Sequence, residues 1–523
     1  MTTAMEKIKF VNHEFVNKAE ALIPQLHETV IRPAHIVEVQ QDEAAFQGWR
    51  VDALESAEEL PGKIFKQGDS FTLDFGDHQV GYLTLAIQNV ASNADAPLRL
   101  KLTFGEMPCE IGENFEDYNG WLSRSWLQDE IVTVDILPGE VTLPRRYTFR
   151  YVKIEVLSTS IRYHVSFPDV YCTAISSGDA AVVQALPAHM PEHLKEMDRI
   201  AIKTLQNCMH TVFEDGPKRD RRLWIGDLRL QALANYETFR SDDLVKRCLY
   251  LFAGMPLEDG QVGGCLYEKP APFVDDIYLY DYALFFAATL YDYYEATGDK
   301  ETLQELWPVA KLQIEIGLKR LDERGIVKDD ETWYCFLDWH EQLNKQGGAQ
   351  AVLIYSMRRG LKLALAVMDT EAAEKIASQL ERVIDAAKMY LWDEASQFFV
   401  SGEQRQVSWA TQIWMVLAEV FGQEENAKLL ERLAAYPAAI EMSTPYLYHH
   451  YIEALILSNR KDEALIQMNA YWGEMMKDGA DTFWELYNPK DKKLSPYGSN
   501  LVNSYCHAWS CTPTYFIRKY YLS

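Results

Sequence analysis

Thirteen consecutive residues, Asp215-Gly-Pro-Lys-Arg-Asp-Arg-Arg-Leu-Trp-Ile-Gly-Asp227, concentrate the reactive side chains of this chain. Seven of them are charged: Asp215, Asp220 and Asp227 alternate with Lys218, Arg219, Arg221 and Arg222. Gly216 and Pro217 disfavour a helix, since proline removes a donor and glycine costs roughly 1 kcal/mol there. The spacing predicts a folded loop that aims carboxylates and guanidinium groups at a polar ligand. Asp227 falls near the start of the next helix, where a carboxylate also serves as a plain cap. Arg221 and Arg222 are expected to turn outward, toward neighbouring carboxylates.

A second acidic segment, Asp481-Thr-Phe-Trp-Glu485, places Glu485 directly after an aromatic pair. Two carboxyl groups beside a wall of indoles suit glycoside cleavage, where one acid protonates the leaving oxygen and the other activates water or attacks. Aromatic faces stack on sugar rings, and acids and arginines hold hydroxyl groups. Trp339, in Phe336-Leu-Asp-Trp-His-Glu341, is a further candidate wall residue, with Asp338 beside it. Ser504-Tyr-Cys-His-Ala-Trp509 is expected to open the last helix and to carry His507 with it. His449-His450 does not resemble a metal site, because adjacent helical residues diverge.

These residues need a scaffold. The first third of the chain reads with period two. Leu98, Leu100, Leu102 and Phe104 alternate with polar residues, as do Val132, Val134 and Ile136. Tyr147, Phe149 and Tyr151 are followed by Val152, Ile154 and Val156 on the opposite parity, which predicts a bulge or a change of buried face. Gly76-Asp77 and Pro138-Gly139 sit where turns are needed. The pattern is that of an antiparallel β-sandwich. From about Pro187 the period becomes 3.6, with helical segments near 192–212, 227–240, 242–253, 277–297, 300–322, 348–367, 370–392, 408–420, 423–435, 444–458, 460–475 and 503–520. No fixed sequence repeat appears, which favours six hairpins closed in a ring, an (α/α)6 barrel, over an open array. The predicted architecture is therefore multidomain: an N-terminal helical segment (1–30), a β-sandwich (31–180) and an (α/α)6 barrel (188–523). Three long connections, 254–276, 337–348 and 478–503, are rich in aromatics and acids, and loops at one end of such a ring carry its ligand pocket.

Bulk properties restrict the partners. A net charge of −26 disfavours phosphate backbones and anionic lipid surfaces. The eight cysteines show no CxxC pair, so no metal site is expected, and free thiols fit a reducing, cytoplasmic compartment. No run of about 18 apolar residues predicts a membrane span, and Met1–Leu22 shows no secretory signal.

The loop Asp215–Asp227 closely resembles the signature of the α-L-rhamnosidases of glycoside hydrolase family 78. Asp481–Glu485 is similar to the family's second catalytic segment, and His507-Ala-Trp509-Ser to its histidine-bearing segment. Leu73-Asp-Phe-Gly76, Gly81-Tyr-Leu83 and Arg145–Tyr151 resemble family segments in the sandwich, so the likeness covers most of the chain. The resemblance implies an inverting exo-glycosidase that releases terminal α-L-rhamnose from small rhamnosides without a cofactor. Carried over position by position, it puts the general acid on Asp220 and the base on Glu485. It places Asp215, Arg219 and Asp227 on sugar hydroxyls, Trp224, Trp339 and Trp484 on the aromatic lining, and His507 near the sugar. Many family members have glutamate at the acid position, which leaves Asp227 open as the donor. Only one β-domain is evident beside the barrel, so a homodimer covering the bare flank is expected. The loop Glu113–Trp126 is the candidate interface or active-site rim. Other readings are a uronyl hydrolase-like barrel glycosidase and a non-catalytic sugar-binding protein.

Overall fold

The computed structural model describes residues 10–275 and 277–522. Of the expected N-terminal helical segment, residues 1–9 lie outside the described residues. Helix α1 (His13–Glu20) begins at Asn12, whose side chain accepts from the Glu14 and Phe15 backbone N–H groups.

Nine strands follow: β1 (His27–Ile31), β2 (His35–Gln41), β3 (Trp49–Ser56), β4 (Ser70–Val90), β5 (Leu98–Gly105), β6 (Asp129–Val134), β7 (Gly139–Thr142), β8 (Tyr147–Ser158) and β9 (His164–Ser176). They pair antiparallel in the order β1-β9-β4-β8-β5-β6, with β2 and β7 also on β4 and β3 on β2. The period-two residues are the reason. Leu98, Leu100, Leu102 and Phe104 are all fully buried on one face. Ile136 departs from the expected alternation: β6 stops at Val134 and Ile136 is exposed.

The parity shift in β8 has its cause in β4. Tyr151 pairs with Asp74 but Phe149 pairs with Gln79, so β4 carries extra residues there. Gly76-Asp77 is therefore a bulge inside a 21-residue strand rather than the expected turn, with Gly76 at φ 80°. Between β5 and β6, helix α2 (Pro108–Gly112) and the loop 113–126 leave the sheet and reach the helical part.

Twelve helices follow among the described residues: α3 (Glu192–Asn207), α4 (Ile225–Tyr236), α5 (Asp242–Gly254), α6 (Tyr280–Thr297), α7 (Lys300–Leu318), α8 (Gln346–Ala366), α9 (Thr370–Ala386), α10 (Trp409–Leu417), α11 (Gln423–Ala434), α12 (Pro445–Leu457), α13 (Lys461–Lys477) and α14 (Pro513–Tyr520). Local signals set their ends. Asp299, Asp369, Ser408 and Thr444 cap α7, α9, α10 and α12 through side-chain oxygens. Gly298, at φ 68°, ends α6.

Alternate helices differ in burial. All twelve residues of α4 are buried, and α6, α8, α10 and α12 are buried over most of their length, whereas α9 and α11 bury one face. The buried helices touch in succession, α4 to α6, α8, α10 and α12, and the single turn Ala508–Ser510 contacts both α12 and α4. The segment 503–512 is not the expected start of the last helix. His507 has extended backbone and donates its N–H to the Phe483 carbonyl, and Glu485 N–H donates to Ser504, so the two segments are laced together. The helix begins only where Pro513 supplies a first-turn φ.

Candidate active site

The charged loop owes its shape to Asp215. Its carboxylate accepts from the backbone N–H groups of Asp220 and Arg222, both at 3.1 Å, folding the intervening residues around it. A side chain at Gly216 would place its Cβ 2.5 Å from the Arg219 carbonyl and 2.7 Å from Ser504 Oγ, so only glycine fits that close approach. Lys218 is buried and donates to Glu110 of α2 and to the Leu501 and Asn503 carbonyls, tying the loop to the β-domain. Leu223-Trp224 pairs with Cys265-Leu266 and leads directly into α4, whose first turn holds Asp227.

Arg219 joins the two acidic segments. Its Nε donates to the Val502 carbonyl, its Nη2 to Glu485, and its Nη1 lies 3.8 Å from Asp220 Oδ1. The Tyr497 ring covers the guanidinium at 4.2 Å, and the Tyr497 hydroxyl donates to Glu485 Oε1 at 2.8 Å. Arg219 thus reaches Asp220 and Glu485 through its two terminal nitrogens.

A pocket of about 320 Å³ opens over them. It is lined by Asp215, Arg219, Asp220, Trp224, Asp227, Trp339, Glu485 and His507, which are eight of the nine residues singled out in the sequence. Trp484 is the exception. It is fully buried, stacked on Phe46 of the β-domain with ring centroids 4.2 Å apart. Glu485 faces the pocket, and its neighbour in an irregular, non-helical segment faces the opposite way. Asp338 is also off the wall: it accepts from Ser443 N–H and Thr444 Oγ1 at the start of α12. Arg221 turns outward as expected, but onto the Lys218 and Arg146 carbonyls rather than onto carboxylates. Arg222 stays on the pocket wall, paired with Asp275 at 3.3 Å and stacked over Tyr267.

The wall also contains residues that sequence reasoning did not select, Tyr497, Tyr282, Phe336 and Trp509, together with Trp121 and Leu122 of the loop 113–126, the candidate interface or active-site rim. Trp509 donates its indole N–H to the Glu485 carbonyl and packs against Phe336 and Trp339. Trp224 keeps a buried indole N–H with no acceptor among the described residues, a donor available to a ligand. A larger cleft of about 870 Å³ lies around Asp329, Asn344 and Gly402, but it holds none of the acids of the charged loop.

Burial sets the protonation of the floor. It pushes Asp215 up to about 8, helped by the neighbouring charge of Asp220. It pushes Asp227 well above the usual carboxylate range, with Asp215 and Glu485 adding to it. Glu485 is raised by burial, while the Arg219 cation and the Tyr497 hydroxyl pull it back. His507 is driven well below the usual imidazole value by burial and then by Arg219. Its Nδ1 lies 3.6 Å from Asp227 Oδ1, and its Nε2 lies 3.9 Å from Asp215 and 3.8 Å from Glu485.

Asp227 Oδ1 and His507 Nδ1 are both buried without a hydrogen-bond partner among the described residues. A carboxyl whose folded pKa is raised contributes stability below its unfolded value of about 3.9 and loses it as pH rises toward the folded value. Asp227→Asn is therefore expected to be more stable than the parent by roughly 1–3 kcal/mol at pH 7. The advantage shrinks toward pH 4. Melting curves at pH 4, 5.5 and 7 check this, and a parent as stable as the variant at pH 7 refutes it.

Comparison with known proteins places this geometry. Residues 33–174 match the glycosyl hydrolase family 78 alpha-rhamnosidase N-terminal domain, and residues 191–521 match the bacterial alpha-L-rhamnosidase six-hairpin glycosidase domain. Among solved structures, a rhamnosidase from Klebsiella oxytoca with rhamnose bound is 47% identical, with a TM-score of 0.96 over 98% of this chain and 99% of that one. The family 78 rhamnosidase of Bacillus sp. GL1 is 21% identical, with a TM-score of 0.73 over 90% of this chain and 49% of that one. The α-L-rhamnosidase of Streptomyces avermitilis, complexed with L-rhamnose, is 16% identical, with a TM-score of 0.64 over 95% and 44%. The last two likenesses concern the fold alone. None of the curated proteins compared matches the chain.

Proposed function

This chain belongs to the α-L-rhamnosidases of glycosyl hydrolase family 78, and on that premise we propose that it removes terminal α-L-rhamnose from small rhamnosides with inversion at the anomeric carbon. The observation that carries the reading is the meeting of Asp220 and Glu485 on one guanidinium, at the wall of a pocket sized for a single sugar ring.

In this mechanism Asp220 gives its proton to the glycosidic oxygen as the C–O bond breaks. Glu485 takes a proton from a water that attacks the anomeric carbon from the opposite face. Inversion requires space for that water, roughly 6.5–9.5 Å between the carboxyl groups, against about 5 Å for a double displacement. Glu485 has two oxygens and about four lone-pair sites. Arg219 and Tyr497 occupy one on each oxygen, which leaves acceptor capacity for the water. Asp215, Asp227 and the Trp224 indole N–H are suited to hold sugar hydroxyls. Leu122, Ile277 and Leu279 supply apolar wall for the methyl group that distinguishes rhamnose.

Proton NMR of the reaction on p-nitrophenyl α-L-rhamnoside tests the stereochemistry. β-L-rhamnose is expected first, with the α anomer growing in by mutarotation. Initial release of α-L-rhamnose refutes inversion.

The ring of buried helices fits an (α/α)6 barrel over about residues 188–523, and the nine-stranded part fits a β-sandwich domain over 31–180. All eight cysteines are unpaired and buried, which supports a reducing, cytoplasmic setting. No helix among the described residues is long and apolar enough to cross a membrane. A homodimer covering the flank of the barrel completes the proposal.

A further inference from the structure

A second cavity, about 740 Å³, lies against the active-site wall. Two chain segments form the partition. Trp121 and Leu122 line the catalytic pocket, while Asp117, Tyr118 and Asn119, just before them, line the second cavity. Tyr497 lines the catalytic pocket, while Gly498, Ser499 and Asn500, just after it, line the second. The segments are clamped together: the Trp121 indole donates to the Pro496 carbonyl at 3.0 Å and its backbone N–H to the Tyr497 carbonyl at 3.1 Å. A Cβ added at Gly498 would meet the Gly120 Cα at 3.8 Å. Trp121, 70% exposed, forms the crest between the two spaces.

We propose that this second cavity is a carbohydrate-binding subsite that takes neutral sugar residues on the leaving-group side of the scissile bond. The inference rests on the rhamnosidase reading above. Four features support it. Gln47 is only 7% exposed, lines the cavity, and its side-chain amide has no hydrogen-bond partner among the described residues. Neither amide atom is sealed off from the cavity, so a ligand hydroxyl can pair with it. Trp49 presents a partly buried indole, packed so closely over Gly112 that no side chain fits beneath it. Asp117, Asn119 and Lys493 add exposed polar groups that make no side-chain hydrogen bonds among the described residues. Two carboxylates, Glu113 and Asp117, against one lysine disfavour an anionic ligand. Amides and carboxylates around an indole suit the hydroxyls and the apolar face of a pyranose. A partition formed by these two segments matches a chain that leaves the catalytic pocket over Trp121 and continues in the cavity.

The test compares p-nitrophenyl α-L-rhamnoside with three trisaccharides that carry α-L-rhamnose linked 1→2, 1→4 or 1→6 to cellobiose. For at least one trisaccharide, Gln47→Leu and the exposed pair Asp117→Ala/Asn119→Ala are each expected to raise KM about tenfold, the loss of one or two hydrogen bonds. The aryl rhamnoside keeps its kcat/KM. Equal changes on both substrate types, or none on any trisaccharide, overturn the proposal. Cellobiose alone, titrated by calorimetry, reads the cavity without hydrolysis. Heat with the parent that both variants lose supports the subsite, and no heat with the parent overturns it. If no rhamnoside is hydrolysed, the rhamnosidase reading fails on its own, and the calorimetric result still decides the cavity.

Discussion

Glu485→Gln is expected to lower kcat on p-nitrophenyl α-L-rhamnoside by about 10²–10⁴-fold, the usual contribution of a positioned general base, with KM little changed. Glutamine keeps the size of the side chain and can still accept from Tyr497 or face Arg219. What it loses is the charge that takes the water's proton, a quantity that matters in the transition state and little in substrate binding. The size of the effect follows from burial. The Glu485 side chain is 6% exposed, so few bulk waters reach the site to substitute for the missing base. The segment itself is held by its backbone, through Glu485 N–H to Ser504 and the Trp509 indole to the Glu485 carbonyl, and neither bond involves the carboxylate. The variant is therefore expected to fold as the parent does, with matching circular dichroism. Turnover within tenfold of the parent removes Glu485 from the role.

Asp220→Asn is expected to show a loss that depends on the leaving group. Expulsion of p-nitrophenolate needs little protonation, so the loss on the aryl rhamnoside is modest. Methyl α-L-rhamnoside must leave as methanol, and there the loss reaches about 10²–10⁴-fold. Comparison of kcat/KM on the two substrates checks this. The same leaving-group signature in Asp227→Asn, with Asp220→Asn uniform, moves the donor to Asp227. Position favours Asp220: its side chain is 23% exposed at the wall, whereas Asp227 lies on the floor, 4% exposed and facing His507.

The thirteen-residue loop was legible because its signals are local. Glycine and proline disfavour a helix interior, so a dense charged run that opens with Gly216 and Pro217 reads as a loop. Sheet and helix were legible for a similar reason, since hydrophobic periods of two and 3.6 record which face is buried. Periodicity does not say what the buried face meets. Trp484 illustrates this: its type and its place beside Glu485 suggested a sugar platform, yet the irregular backbone turns it onto Phe46. The Gly76-Asp77 pair shows the same limit in a strand, because a turn and a bulge use the same residues and differ only in what the neighbouring strands do.

Tyr497 left no comparable signal. It is one of 29 tyrosines, in a loop of ordinary composition, and its role comes from the ring that lies over Arg219 and the hydroxyl that reaches Glu485. Trp121 was legible only as part of an aromatic β-domain loop, a candidate interface or rim; the packing of that loop carries it across to the pocket wall. By itself the sequence determined which side chains were available for chemistry, which elements carry them, and that Asp220 and Glu485 lie in loops. The tertiary structure alone decided that Asp220 and Glu485 share one guanidinium, which aromatics form the wall, and where the wall ends. Local propensities act within a few residues of the backbone, whereas a pocket is made of contacts between segments hundreds of residues apart, and those exist only once the helices and the sheet have packed.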